Sequence, residues 1–203
     1  MIARNFFCSR LLNMKLSRIL LAALVWFTFF AEVKANDLEI ALGKDTAQFT
    51  FRSDSSLIGW GGAELAMGLF YNEASDFIFD ASLLQMRQAS EQNPLTFGVG
   101  LSAYIGSLDD INSDVFALGI GGEVRYTIAG TMPMAVYFRG YYAPQITSFA
   151  DTDSLLDYQL GFQIEALPQT TAFVGVRHFE IDTRDIDYLA SDDELFFGVR
   201  LTF

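Results

Sequence analysis

His178 is the single histidine of this 203-residue chain, and Glu180, Asp182 and Asp185 follow it closely. An imidazole oriented by a carboxylate serves hydrolases as a general base, provided that a nucleophile lies within hydrogen-bond reach. Two positions on, where a strand returns to the same face, stands Glu180 and not a serine. His178 therefore reads as an interfacial residue or one at the base of a loop, with catalysis as the alternative. A second group, Asp109, Asp110, Asp114, Asp151, Asp153, Asp182, Asp185, Asp187, Asp192 and Asp193, could offer oxygen ligands to divalent cations. No calcium-loop or other fixed ligand spacing runs through it, so it reads as a solvated acidic rim. Gly43-Lys44 lacks the spaced glycines of a phosphate loop and reads as a turn. Tyr137, Arg139 and Tyr141 read as interior packing or as a stack at the edge of an aromatic belt. No catalytic, metal-binding or cofactor-binding residue is assigned from these patterns.

The elements that must position these side chains are strands. From Asp37 onward almost every segment alternates with a period of two, and no 3.6-residue period is long enough for a helix. Leu95, Phe97, Val99, Leu101, Ala103 and Ile105 oppose Thr96, Gly98, Gly100, Ser102, Tyr104 and Gly106. Phe116, Leu118, Ile120, Val124, Tyr126 and Ile128 oppose Ala117, Gly119, Gly121, Glu123, Arg125 and Thr127. The last nine residues, with Leu195, Phe197, Val199, Leu201 and Phe203 on one parity and Arg200 and Thr202 on the other, repeat the pattern. About ten such segments are expected, or eight if the two short ones after Asp37 do not both pair. Pro94, Pro133, Pro144 and Pro168 all fall at segment ends, where a missing N–H spares the ladder. Counting back from Phe203, long connections (Asp182 to Asp192, Ala143 to Asp153) alternate with tight ones (Leu167 to Gln169, Ala129 to Thr131), a pattern that fades toward the N-terminus.

Alternation alone leaves open which row faces the interior. A soluble sandwich or lipocalin-like barrel turns its apolar row inward, whereas a membrane barrel turns it outward. The polar row here is rich in Gly, Ala and Ser and carries Glu39, Arg52, Glu64, Asp80, Glu123, Arg125, Arg139, Glu165, Arg177 and Arg200, with almost no lysine. Small residues with arginines and carboxylates in near balance suit a narrow lumen in which ions must pair. Tyr71, Tyr126, Tyr142 and Tyr158 sit near segment ends on the apolar row, where an interfacial aromatic belt belongs. The expected fold is all-β, a single antiparallel transmembrane β-barrel spanning residues 36–203.

The N-terminus agrees with that destination. Arg4, Arg10, Lys15 and Arg18 precede an apolar run from Ile19 to Phe30, and Val33 and Ala35 stand at the −3 and −1 positions of a cleavage site. This is the pattern of a secretory signal peptide over residues 1–35, with Met14 as an alternative start. The apolar run is shorter than the roughly 20 residues that a membrane-spanning helix needs. Loss of the leader removes five basic residues and Glu32, which leaves 8 basic and 24 acidic side chains and a formal charge of −16 instead of −12. So acidic a chain is not suited to nucleic acid or to anionic lipid bound by charge. The one cysteine, Cys8, lies in the leader, so the exported chain has neither disulfide nor thiol nucleophile.

Tyr141-Tyr142-Ala143-Pro144, followed by the acidic stretch Asp151 to Asp157 and a strand opening at Tyr158-Gln159, resembles the YfaZ family of bacterial outer-membrane proteins. Asp37-Leu38-Glu39, Gly43-Lys44, the Arg177 strand and the C-terminal strand fit the same family, over essentially the whole exported chain. The resemblance implies an outer-membrane barrel of unestablished role and carries over no catalytic residues. The expected role is a structural or interaction barrel with a side-chain-filled lumen and acidic extracellular loops. A narrow, porin-like solute channel is the alternative, and a rim hydrolase using His178 is the third class. Expected partners are outer-membrane lipid and lipopolysaccharide, and the barrel-assembly machinery through the strand ending at Phe203.

Overall fold

The structure is a computed structural model that describes residues 36–55, 62–88, 93–109, 113–183 and 187–203. The proposed leader lies outside the described residues. Eleven strands follow one another among the described residues: β1 (Asp37–Leu42), β2 (Thr46–Asp54), β3 (Glu64–Asn72), β4 (Phe77–Gln88), β5 (Leu95–Leu108), β6 (Ser113–Ile128), β7 (Met134–Ala143), β8 (Ser148–Ala150), β9 (Thr152–Leu167), β10 (Thr170–Thr183) and β11 (Asp187–Thr202). Ten are staves of one closed antiparallel barrel. The short β8 is an extra piece laid against the start of β6. Both short N-terminal segments pair: β1 lies between β2 and β11, and its six-residue register with β11 closes the barrel. There are thus ten staves and not eight. The seam ends in reciprocal backbone hydrogen bonds of 2.9 Å between Asn36 and Phe203, which put the first described residue and the C-terminus at one end of the barrel. We call this the terminus end and the opposite one the far end.

The apolar row faces outward. Phe49, Phe97, Val99, Leu101, Ile120, Val124, Phe138, Leu160, Val174, Leu195 and Phe197 are all exposed, whereas Ala66, Ser102, Ala117, Glu123, Tyr137 and Arg177 are buried. A barrel of ten strands has an interior only wide enough for side chains, so the inward row fills it and the surplus apolar surface turns to the surroundings. Water would penalise such a belt and hydrocarbon would not. Closure also gives every stave two neighbours along most of the belt, as a lipid environment demands of backbone polar groups. This excludes the soluble sandwich or lipocalin-like alternative and makes the chain a transmembrane β-barrel. Tyr71 and Tyr142 toward the far end and Tyr126 toward the terminus end are half-exposed on the outer face, as an aromatic belt requires.

The connections differ from expectation at the far end. The long loop expected from Asp182 to Asp192 is mostly strand, since β10 runs to Thr183 and β11 starts at Asp187. Ala143 to Asp153 likewise contains a 3-10 turn at Gln145–Thr147, then β8 and the start of β9, which begins at Thr152 and not at Tyr158. Polar composition had marked these stretches as loops, but cross-strand pairing with a neighbouring stave overrides composition. The C-terminal hairpin consequently stands above the rim formed by the tight Gly43–Asp45 and Glu73–Asp76 turns. β11 pairs with β1 only from Phe197 downward, which leaves a notch in the wall beside its upper part.

Candidate functional site

The lumen is built in two layers. Toward the terminus end, period-two alternation brings Glu39, Arg52, Glu64, Glu123, Arg125, Arg139 and Arg200 to the interior from six different strands. Glu39 receives Arg52 Nε at 3.3 Å and Arg200 Nε and Nη2 at 3.0 and 2.8 Å. Arg52 Nη1 continues to Glu64 at 2.5 Å. Glu123, whose side chain has no solvent exposure, takes Arg125 at 2.6 Å on one oxygen and Arg139 at 2.5 Å on the other. Arg200 also reaches Gln163 at 3.5 Å. Low-dielectric burial makes a charge costly unless it is paired, and four arginines with three carboxylates meet that condition here. The expected ion network is therefore present, with Arg139 on Glu123 and Arg52 on Glu64 as its shortest links. Tyr137 lies over Gly161, where an added Cβ would sit 2.6 Å from the ring and force it to shift. Tyr137, Arg139 and Tyr141 all pack in the lumen, not at the outer belt.

Toward the far end the lumen is apolar, which alternation did not foretell. Phe70, Ile78, Leu108, Val115, Leu155, Phe179 and Ile181 form one buried cluster with Tyr104 and Tyr141. Phe179 meets Phe70 edge-on at 5.4 Å and Tyr104 at 5.9 Å. Arg177 marks the boundary between the layers. Its guanidinium hydrogen-bonds Gln48 and lies 5.0 Å from the ring centre of Phe196 and 5.7 Å from that of Phe70. Beside it Tyr104 donates to Asp157 at 3.1 Å. Between the layers remains a cavity of about 20 Å³, lined by Asp80, Asp157, Arg139, Tyr104 and their neighbours, which is room for about one water molecule. The signal that could have revealed the apolar layer was the impurity of the inward rows: Phe70 and Ile78, Leu108, Val115, Phe179 and Ile181 interrupt otherwise polar positions.

A carboxylate clamp ties the described far-end turns together. Asp76 is fully buried and accepts from Asn72 Nδ2 at 2.8 Å, the backbone N–H of Asp109 at 2.9 Å and Tyr188 OH at 2.5 Å. These contacts tie the β3–β4 turn to the end of β5 and to β11. Glu194 does the same for the wall notch, accepting Asp45 N–H at 2.6 Å and Thr46 Oγ1 at 2.5 Å. Gly43 belongs to the turn it holds, closed by Gly43 N–H to Thr46 C=O at 2.8 Å, so Gly43-Lys44 is a turn as expected. The hydrogen bond and charge of Asp45 push the exposed Lys44 ammonium upward. An open groove of about 670 Å³ remains above these contacts, between Lys44, Glu73 and the Leu189–Asp192 edge of β11. Neither Asp76 nor Glu194 stood out in the sequence, because a clamping carboxylate in a short turn has no spacing signature.

His178 is on the outer face of β10. Its ring stacks on Tyr158 at 4.9 Å and 15°. Nε2 lies 3.5 Å from Glu180 and Nδ1 3.2 Å from Asp193, so carboxylates flank both nitrogens. Asp182 does not join them, since it accepts from Ser154 at 2.5 Å, and Asp185 lies outside the described residues. Of the acidic group, Asp109, Asp114, Asp151, Asp192 and Asp193 are exposed at the far end, while Asp153 and Asp182 are partly buried.

No family model matches the chain, and no curated protein matches it. Two solved structures are similar to it. One is the outer membrane channel DcaP of Acinetobacter baumannii, 12% identical, with 81% of this chain and 54% of that one covered and a TM-score of 0.38. The other is the KdgM porin, 9% identical, with 84% of this chain and 99% of that one covered and a TM-score of 0.44. The chain spans about half the length of the first. Likeness at this level says nothing of activity.

Proposed function

We propose that the protein is an outer-membrane barrel that conducts no steady flow and works through its far-end surface, with the terminus end in the periplasm. The observation that carries this reading is the double seal of the lumen: an apolar plug above an ion-paired layer, with space for a single water between them. The secretory leader pattern, the terminal aromatic strand and the Tyr141-Tyr142-Ala143-Pro144 resemblance to the YfaZ family support the address. Lipopolysaccharide and outer-membrane lipid would meet the exposed apolar belt, and the tall β10–β11 hairpin with its acidic rim would face the exterior. Membrane fractionation of cells making the full chain tests the address. A mature N-terminus at Asn36 in the outer-membrane fraction is expected, and soluble periplasmic protein or an intact leader would contradict it.

A small-solute channel is the second reading. Its support is a vestibule of about 290 Å³ at the terminus end, lined by Asp37, Arg52, Asp54 and Glu64, the second and last of which belong to the ion-paired layer. Conduction would require the Phe179 plug to move aside. The channel and porin titles of the two solved barrels belong to those proteins. For a rim hydrolase using His178, the ring's near neighbours are two carboxylates and a tyrosine face instead of a nucleophile.

A further inference from the structure

Between Arg177, paired with Glu194, and Phe179, paired with Ser191, β10 supplies one residue and β11 two. Such a bulge breaks strand alternation and re-aims side chains. Here the odd residue is His178, and the two that oppose it are Asp192 and Asp193, the latter with φ of 44°. Consecutive aspartates, which a regular strand would send to opposite faces, thus both reach the imidazole. One nitrogen of His178 and one oxygen from each aspartate lie within 4.8 Å of one another. The ring itself is held: Tyr158 covers one face, and Tyr158 OH reaches Asp193 at 3.3 Å.

The histidine shows what the cluster lacks. Glu180 lies on the Nε2 side, the usual place of the carboxylate that orients a metal-ligating histidine and directs the lone pair to the other nitrogen. That other nitrogen, Nδ1, is shielded from solvent and has no hydrogen-bond partner, since the 3.2 Å approach of Asp193 is off the line that a hydrogen bond needs. With Nε2–H turned toward Glu180, the Nδ1 lone pair faces Asp193 and Asp192, an arrangement that a bound cation would complete. We propose that His178, Asp192 and Asp193 form a binding site for a divalent transition-metal ion on the outer face of the far-end rim, with Glu180 orienting the ring. One imidazole and two carboxylates suit zinc, and the nitrogen ligand favours it over calcium or magnesium. Ligand atoms about 2.1 Å from a tetrahedral ion stand roughly 3.4 Å apart. The two exposed aspartates must therefore draw inward by about 1 Å, which surface side chains do freely.

The full mature chain, purified without a histidine tag in detergent micelles, can be titrated calorimetrically with zinc chloride in excess magnesium. Because His178 is the sole histidine, nitrogen-15 labelling of histidine reports its Nδ1 directly by NMR. One zinc per chain, a shift at Nδ1, and at least tenfold weaker binding in His178→Ala and in Asp192→Asn/Asp193→Asn are expected. The aspartate variant changes exposed groups only, and the heat-modifiable band on gels verifies that each variant is folded. Zinc binding unchanged in either variant, no binding at all, or binding that magnesium abolishes would each overturn the site.

Discussion

Glu123 shows most sharply how single residues decide this lumen. Its carboxylate is wholly enclosed and divides its two oxygens between Arg125 and Arg139. Removing a partner from a buried pair leaves an uncompensated charge, which costs about 3–5 kcal/mol. Arg139→Ala is expected to lower stability by about that much in urea unfolding from lipid vesicles, and Arg125→Ala by less, since Arg125 is the more exposed partner at 24% against 14%. Asp76→Ala is expected to cost about 2–3 kcal/mol by the same assay, because three donors lose a charged acceptor. The arginines and carboxylates of the network were legible in the sequence as inward-row residues of balanced sign. Asp76 and Glu194 were not, because their partners come from turns and strand ends whose proximity depends on how the barrel closes.

At the scale of elements, the period-two rows specified most of what was built. The rows of β5, β6, β7 and β11 point as alternation required, and β1 and β2 pair despite their brevity because each lies between two neighbours. Alternation was misleading at the far end, where acidic composition concealed the upper parts of β9, β10 and β11. It was silent at the His178 bulge, since an extra residue is visible only once the partner strand is known. The inward apolar residues make a second test. Phe179→Ala is expected to cost about 3–5 kcal/mol as a cavity in the plug, with the ion-paired layer left in place. On the outward side of β11, deletion of Phe203 should slow assembly and leave protease-sensitive periplasmic protein if that row is what the assembly machinery reads. Normal amounts of heat-modifiable barrel would count against it.

At the scale of the whole molecule, the outward apolar belt and the filled lumen follow from one constraint. Ten staves enclose a space that side chains can fill, so inward positions carry paired ions and packed aromatics, and the remaining hydrophobic surface faces lipid. Fold class was readable from the sequence because that constraint acts on every strand. The division of the lumen into an ion-paired and an apolar layer was not, since it depends on heights that register alone sets. The most direct test of a sealed barrel is single-channel recording of the mature protein in planar bilayers. No steady conductance is expected from the wild-type chain across ±100 mV, roughly 2.3 kcal/mol per unit charge at either extreme, and stable, ion-selective channels would contradict the seal and establish the channel reading in its place.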